Sequence, residues 1–97
     1  MFELQAQVER ALADATGRSG LTAPRVKVAS AEHVTWSDGS LGCPQPGMLY
    51  TQALVPGYRI RIQAGAETLD YHASARGALV LCPPDRAVDP IRDNGTI

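Results

Sequence analysis

The sequence predicts an α+β domain: one N-terminal helix packed on an antiparallel sheet of about four strands. Three observations carry that expectation. An amphipathic repeat opens the chain, a hairpin with matched residues on both faces lies in its second half, and further short β-like runs flank the hairpin.

Residues 2–16 form the helix. Leu4, Val8, Ala11, Leu12 and Ala15 fall on one stripe, and Glu3, Glu9, Arg10 and Asp14 lie elsewhere. Gly17 is placed to stop it in the left-handed conformation. Residues 25–36 read as a strand, with Val26, Val28, Val34 and Trp36 at alternating positions. The alternation breaks near Ala31–Glu32, which predicts a bulge or bend there. Residues 49–55 have the composition of a short strand that Pro56-Gly57 would end.

The hairpin is the clearest element. A two-residue turn at Gly65-Ala66 sets Ile62 opposite Leu69, Ile60 opposite Tyr71, and Tyr58 opposite Ala73. The same register sets Arg61 opposite Asp70 and Arg59 opposite His72. This second face reads as solvated. Residues 78–82 are a further strand, closed by Pro83-Pro84. The expected layout is a single domain over residues 1–84 and an irregular tail over 85–97.

Composition narrows the function classes. The 97 residues are 44 % hydrophobic and 20 % charged, with a net charge of −1, so the chain reads as an ordinary soluble globular domain. Lys27 is the only lysine and no basic run occurs, so no nucleic-acid partner is expected. No segment approaches the length of a membrane span. The start, MFELQAQVERAL, is polar and unlike a signal peptide. As written the chain reads as cytoplasmic; a removed leader would make it periplasmic or otherwise extracytoplasmic.

The unusual stretch is WSDGSLGCPQPGMLYTQALVPGY, residues 36–58, rich in Gly and Pro and holding the only Trp. Cys43 lies inside it, and Cys82 ends the last expected strand. They could bond, closing a loop worth about 4 kcal/mol by chain entropy, or stay reduced as small hydrophobes. A metal site would need Cys43, Cys82 and His72 or His33, but no pair has the close spacing of zinc ligands. Met48 near Cys43 suggests copper(I) only weakly. DGSLG lacks the first glycine of a nucleophile elbow, and no lysine accompanies the glycines as in a phosphate loop. Catalysis through Cys43 or a serine with His72 as base therefore lacks a supporting pattern. No cofactor is expected, and the chain is not read as an enzyme.

Two readings of the stretch remain. Its prolines and glycines could hold a loop that offers Leu41, Met48, Leu49 and Tyr50 to a protein or peptide partner, with little entropy left to lose. Alternatively, these apolar residues close one end of the sheet around a buried Trp36. Either way the loop is expected to be ordered without an ion.

The motif W-x-DGSLGCP-x-PGM-x-YTQAL-x-PGY, with YH at 71–72 and Cys82, resembles a group of small uncharacterised bacterial proteins, many with secretion or lipoprotein leaders. The resemblance covers roughly residues 34–82. It implies Trp36, Asp38, Gly39, Gly42, Cys43, Pro46, Gly47, Tyr50, Gln52, Pro56, Gly57, Tyr71, His72 and Cys82 as signature positions, and no activity. This chain departs from many members in showing no leader. A second likeness is to the cystatins: QALVPGYRIRIQAG, 52–65, is similar to their Q-x-V-x-G hairpin, with Gln52 and Gly57 in the corresponding roles and one residue too many between them. It implies a cystatin-like topology and protease inhibition. The leading expectation is thus a small binding module, inhibitor-like in character, using Leu41, Met48, Tyr50, Gln52, Pro56 and Gly57. The rival is a thiol-redox or metal-binding protein using Cys43 and Cys82.

Overall fold

The computed structural model describes residues 3–96. Helix α1 (Leu4–Ser19) is followed by β1 (Val26–Trp36), β2 (Val55–Ala64), β3 (Glu67–Ser74), β4 (Leu79–Leu81) and β5 (Arg92–Thr96). The strands form one antiparallel sheet in the order β4-β3-β2-β1-β5. The α+β class and the N-terminal helix hold.

The helix runs past Gly17 and stops at Gly20, which takes φ 72° and donates its N–H to the Thr16 carbonyl at 3.0 Å. An interior glycine costs a helix only about 1 kcal/mol, and the Asp14–Arg18 pair spans it at i, i+4. Leu4, Ala11 and Ala15 are buried, with Val8 and Leu12 packed beside them. The stripe covers Ile60, Ile62, Tyr71 and Ala73 of the hairpin. Gln7, on the same face, is also buried; its Nε2 donates to the Ser74 and Ala78 carbonyls, both at 3.2 Å.

The hairpin has the register its two faces demanded. Ala64 pairs with Glu67 around the Gly65-Ala66 turn, Ile60 with Tyr71, and Arg61 lies opposite Asp70. Gly65 takes φ 62°, as this tight turn requires.

Four further expectations need correction. No strand forms over 49–54; the chain there is an extended loop, and β2 begins at Val55 and runs straight through Pro56-Gly57. The β1 bulge falls between Val28 and Ser30, ahead of Ala31. The extra residue reverses the alternation, so Ala31 joins the helix-side core while Val34 and Trp36 point to the opposite face. The expected irregular tail over 85–97 carries a strand, since β5 pairs with β1 as a fifth strand; Ile97 lies outside the described residues. Finally, the Arg59–His72 end of the hairpin's second face is not solvated, because residues 37–54 and 82–91 fold over it.

Candidate functional site

Trp36 is the centre of that second face. Its indole is fully buried, and Nε1 donates to the Ala73 carbonyl at 2.9 Å. The ring stacks on His72, with centroids 4.5 Å apart and planes at 19°. Two glycines make the space. A Cβ on Gly57 would lie 2.9 Å from the Trp36 Nε1, and one on Gly42 would lie 2.6 Å from Trp36 Cζ3. Gly42 also has φ 68°, which disfavours any side chain.

His72 ties the sheet to the loop. Its Nδ1 lies 2.6 Å from the Leu41 carbonyl oxygen and its Nε2 3.0 Å from Asp70 Oδ2. Leu41 holds φ 56°, a left-handed conformation that costs a non-glycine residue about 1–2 kcal/mol. Its buried side chain packs with Val34, Trp36 and Val55. Asp70 in turn receives Arg59 bidentately, through Nε at 3.1 Å and Nη2 at 2.9 Å, and Arg59 Nη1 reaches Asp89 at 2.8 Å. Burial opposes ionisation of Asp70, but the hydrogen bonds from His72 and Arg59 outweigh it and hold the carboxyl well below its usual range. Arg59 thus takes Asp70 diagonally across the ladder, while Arg61 turns to Glu32 at 3.8 Å.

The loop is fixed along its length. Asp38 accepts from the Ser40 N–H and hydroxyl at 2.8 and 2.6 Å, which holds its carboxyl below the ordinary value. Gly39 donates to the Thr51 carbonyl at 2.9 Å and closes the neck. Cys43 and Cys82 are joined in a disulfide with Cα atoms 5.7 Å apart. The next segment crosses the loop, with the Val88 N–H on the Gly42 carbonyl at 2.8 Å. At the tip, Met48 donates to the Gln45 carbonyl at 3.1 Å around Pro46-Gly47, with Gly47 at φ 80°. This is the Pro-Gly pattern of a type II turn. The Tyr50 hydroxyl accepts from the Gln45 N–H at 3.0 Å.

What the loop presents is apolar and uncharged. Leu49 is 96 % exposed, Leu54 59 % and Met48 57 %. From Gly39 to Tyr58 no Asp, Glu, Lys, Arg or His occurs. Beside the loop's return lies an apolar cavity of about 380 Å³ lined by Ala53, Leu54, Val55, Pro56, Ala75 and Arg76.

The residues singled out from sequence therefore divide. Met48, Gln52 and Pro56 are exposed, and Tyr50 is half-buried. Leu41 and Gly57 are buried in the support and unreachable by a partner; Gly57 is an interior residue of β2, paired with Val34 and Ser74. Leu54 and Ala53 were not singled out, and the only signal for them is their place in the charge-free run. Among the described residues no group of three or more His, Cys, Asp or Glu is placed to hold a metal ion.

A family model described as a domain of unknown function, DUF8738, matches residues 8–82. The chain belongs to the DUF8738 family. The match runs from the middle of α1 to the second disulfide cysteine, so it spans the helix, the stapled loop and the hairpin together. No curated protein and no solved structure matches the chain.

Proposed function

We propose that this DUF8738 domain is a non-catalytic binding module whose contact surface is the stapled loop. The observation that carries the reading is exposure: Met48 and Leu49 at the tip and Leu54 on the return stand exposed on a segment pinned at its neck, its middle and its turn. Exposed apolar groups on a fixed backbone lose little conformational freedom on docking, and a charge-free rim costs little to desolvate. The partner is a protein or peptide with an apolar groove. Protease inhibition is the finer form of this reading. It would act through Met48 and Leu49 rather than through a Gln52–Gly57 pair, since Gly57 is buried.

The disulfide supports a structural rather than a redox role for the cysteines. Cys43 is 4 % and Cys82 2 % exposed, which shields both sulfurs from an attacking thiolate. A structural disulfide favours an oxidising compartment. No helix among the described residues is long and apolar enough to cross a membrane.

Photo-crosslinking tests the reading. A benzophenone side chain at position 49, compared with one at exposed Lys27, should give discrete adducts in extract of the source cells from the first position only. A Met48→Ser/Leu49→Ser variant should keep its melting temperature and compete poorly for the same adducts. Equal labelling from both positions, or full competition by the double variant, would refute the loop as the contact surface.

A further inference from the structure

The opposite edge of the sheet carries a second feature. β4 is the terminal strand, bonded to β3 alone among the described residues. Ser74 donates to the Ala78 carbonyl at 3.0 Å, and Cys82 to the Asp70 carbonyl at 2.8 Å. Bonded and non-bonded pairs alternate in an antiparallel ladder. Ala78, Val80 and Cys82 therefore turn their peptide groups toward β3, and Leu79 and Leu81 turn theirs outward. Their side chains share the helix-side face with Ala73 and Tyr71, their register partners.

Helix α1 packs over β1 and β2, and its Arg10–Arg18 side faces this edge. At its near end Arg10 Nη1 donates to the Gly77 carbonyl at 2.6 Å. At its far end Arg18 lines a cavity of about 310 Å³ with Leu81, Cys82 and Pro83. Between them lies a groove of about 530 Å³ floored by Leu79, Leu81 and Tyr71. The ionised lining groups are Arg10, Asp14 and Arg18, a sum of +1. Asp14 is already engaged by the Tyr71 hydroxyl and Arg18 Nε, both at 2.6 Å.

We infer that this groove takes an extended acidic peptide as a sixth strand on β4. Main-chain bonds to Leu79 and Leu81 would supply the pairing, as in other edge additions. The arginines set the side-chain pattern. Arg10 and Arg18 are eight residues apart on α1, a rise of about 12 Å. Positions i and i+4 of a strand share one face and lie about 13 Å apart. Carboxylates at i and i+4 thus meet the two arginines, and an apolar residue at i+2 rests on Leu79 and Leu81. Asp14, midway along the helix wall, disfavours a third acid there.

The test is an amide chemical-shift titration of the ¹⁵N-labelled domain with the acetylated, amidated heptapeptide TETVTET and its lysine counterpart TKTVTKT at low salt. The acidic peptide should shift the Leu79 and Leu81 amides and those of α1 near Arg18, with a dissociation constant below about 1 mM. Arg18→Gln should weaken binding about fivefold. Leu81→Pro, which removes one outward N–H on an edge that tolerates proline, should weaken it further. Equal shifts with both peptides, no shifts at all, or no effect of Arg18→Gln would overturn the assignment. Concentration-dependent shifts of Leu79 and Leu81 without peptide would also overturn it, giving the edge to a second copy of the chain.

Discussion

The indole of Trp36 lies flat on the imidazole of His72, with centroids 4.5 Å apart, and both rings are sealed from solvent. Trp36 ends β1, and His72 reaches from β3 to the loop through the Leu41 carbonyl. The pair is therefore the joint at which the loop is fastened to the sheet. Trp36→Ala should cost about 3–5 kcal/mol of unfolding free energy, measured by denaturant titration. A native state with solvent-exposed, readily quenched tryptophan fluorescence would contradict the burial.

Gly42→Ala tests the same joint from the loop side. The added methyl meets the Trp36 ring and the residue must hold a left-handed φ. A loss of about 2 kcal/mol or more is expected. Gly47→Ala also has a left-handed φ but meets nothing within 4 Å, so it should cost only about 1 kcal/mol. Equal costs would mean that packing on Trp36 is not what Gly42 provides.

The helix stripe and the hairpin were legible because each bears a complete periodic pattern, down to the Arg61–Asp70 register. The second core was not. Arg59, Asp70 and His72 look like a solvated strand face until a distant segment covers them, and that cover carries the Cys43–Cys82 bond, which spacing alone leaves open. The bulge after Val28 hid the change of face as well, since one inserted residue moves Trp36 away from the helix. β5 is not legible because RDNGT shows no apolar alternation and holds a single β-branched residue, Thr96.

Acid should loosen the covered face. Asp70 has a folded-state pKa below its unfolded value near 3.9. The carboxylate therefore contributes stability that is complete above the unfolded pKa and is lost as pH falls below it. Melting temperature should drop on acidification from about pH 5. Asp70→Asn should be less stable at neutral pH and show a shallower acid limb. An unchanged acid limb would remove Asp70 from the account.

Alkaline titration gives a complementary check on the helix side. Burial first, and then the Asp14 carboxylate, push the Tyr71 hydroxyl above its ordinary value. The neutral phenol contributes stability that is full below the unfolded value near 10 and is lost as pH rises past it. Ultraviolet titration should show a tyrosine phase above the ordinary phenol range, and Asp14→Asn should lower it. Absence of that late phase, or no change with Asp14→Asn, would contradict the Tyr71–Asp14 bond.

The central claim is that the loop is ordered by its own geometry and by the Cys43–Cys82 staple before any partner arrives. Native-state amide exchange of Gly39, Leu41, Cys43 and Met48, whose N–H groups are bonded within the loop, tests this most directly. The account predicts slow exchange that a chelator leaves unchanged. A reductant should accelerate it together with β4, because opening the bond removes a chain-entropy constraint of about 4 kcal/mol. Fast exchange at all four amides, or protection that disappears with chelator alone, would contradict it.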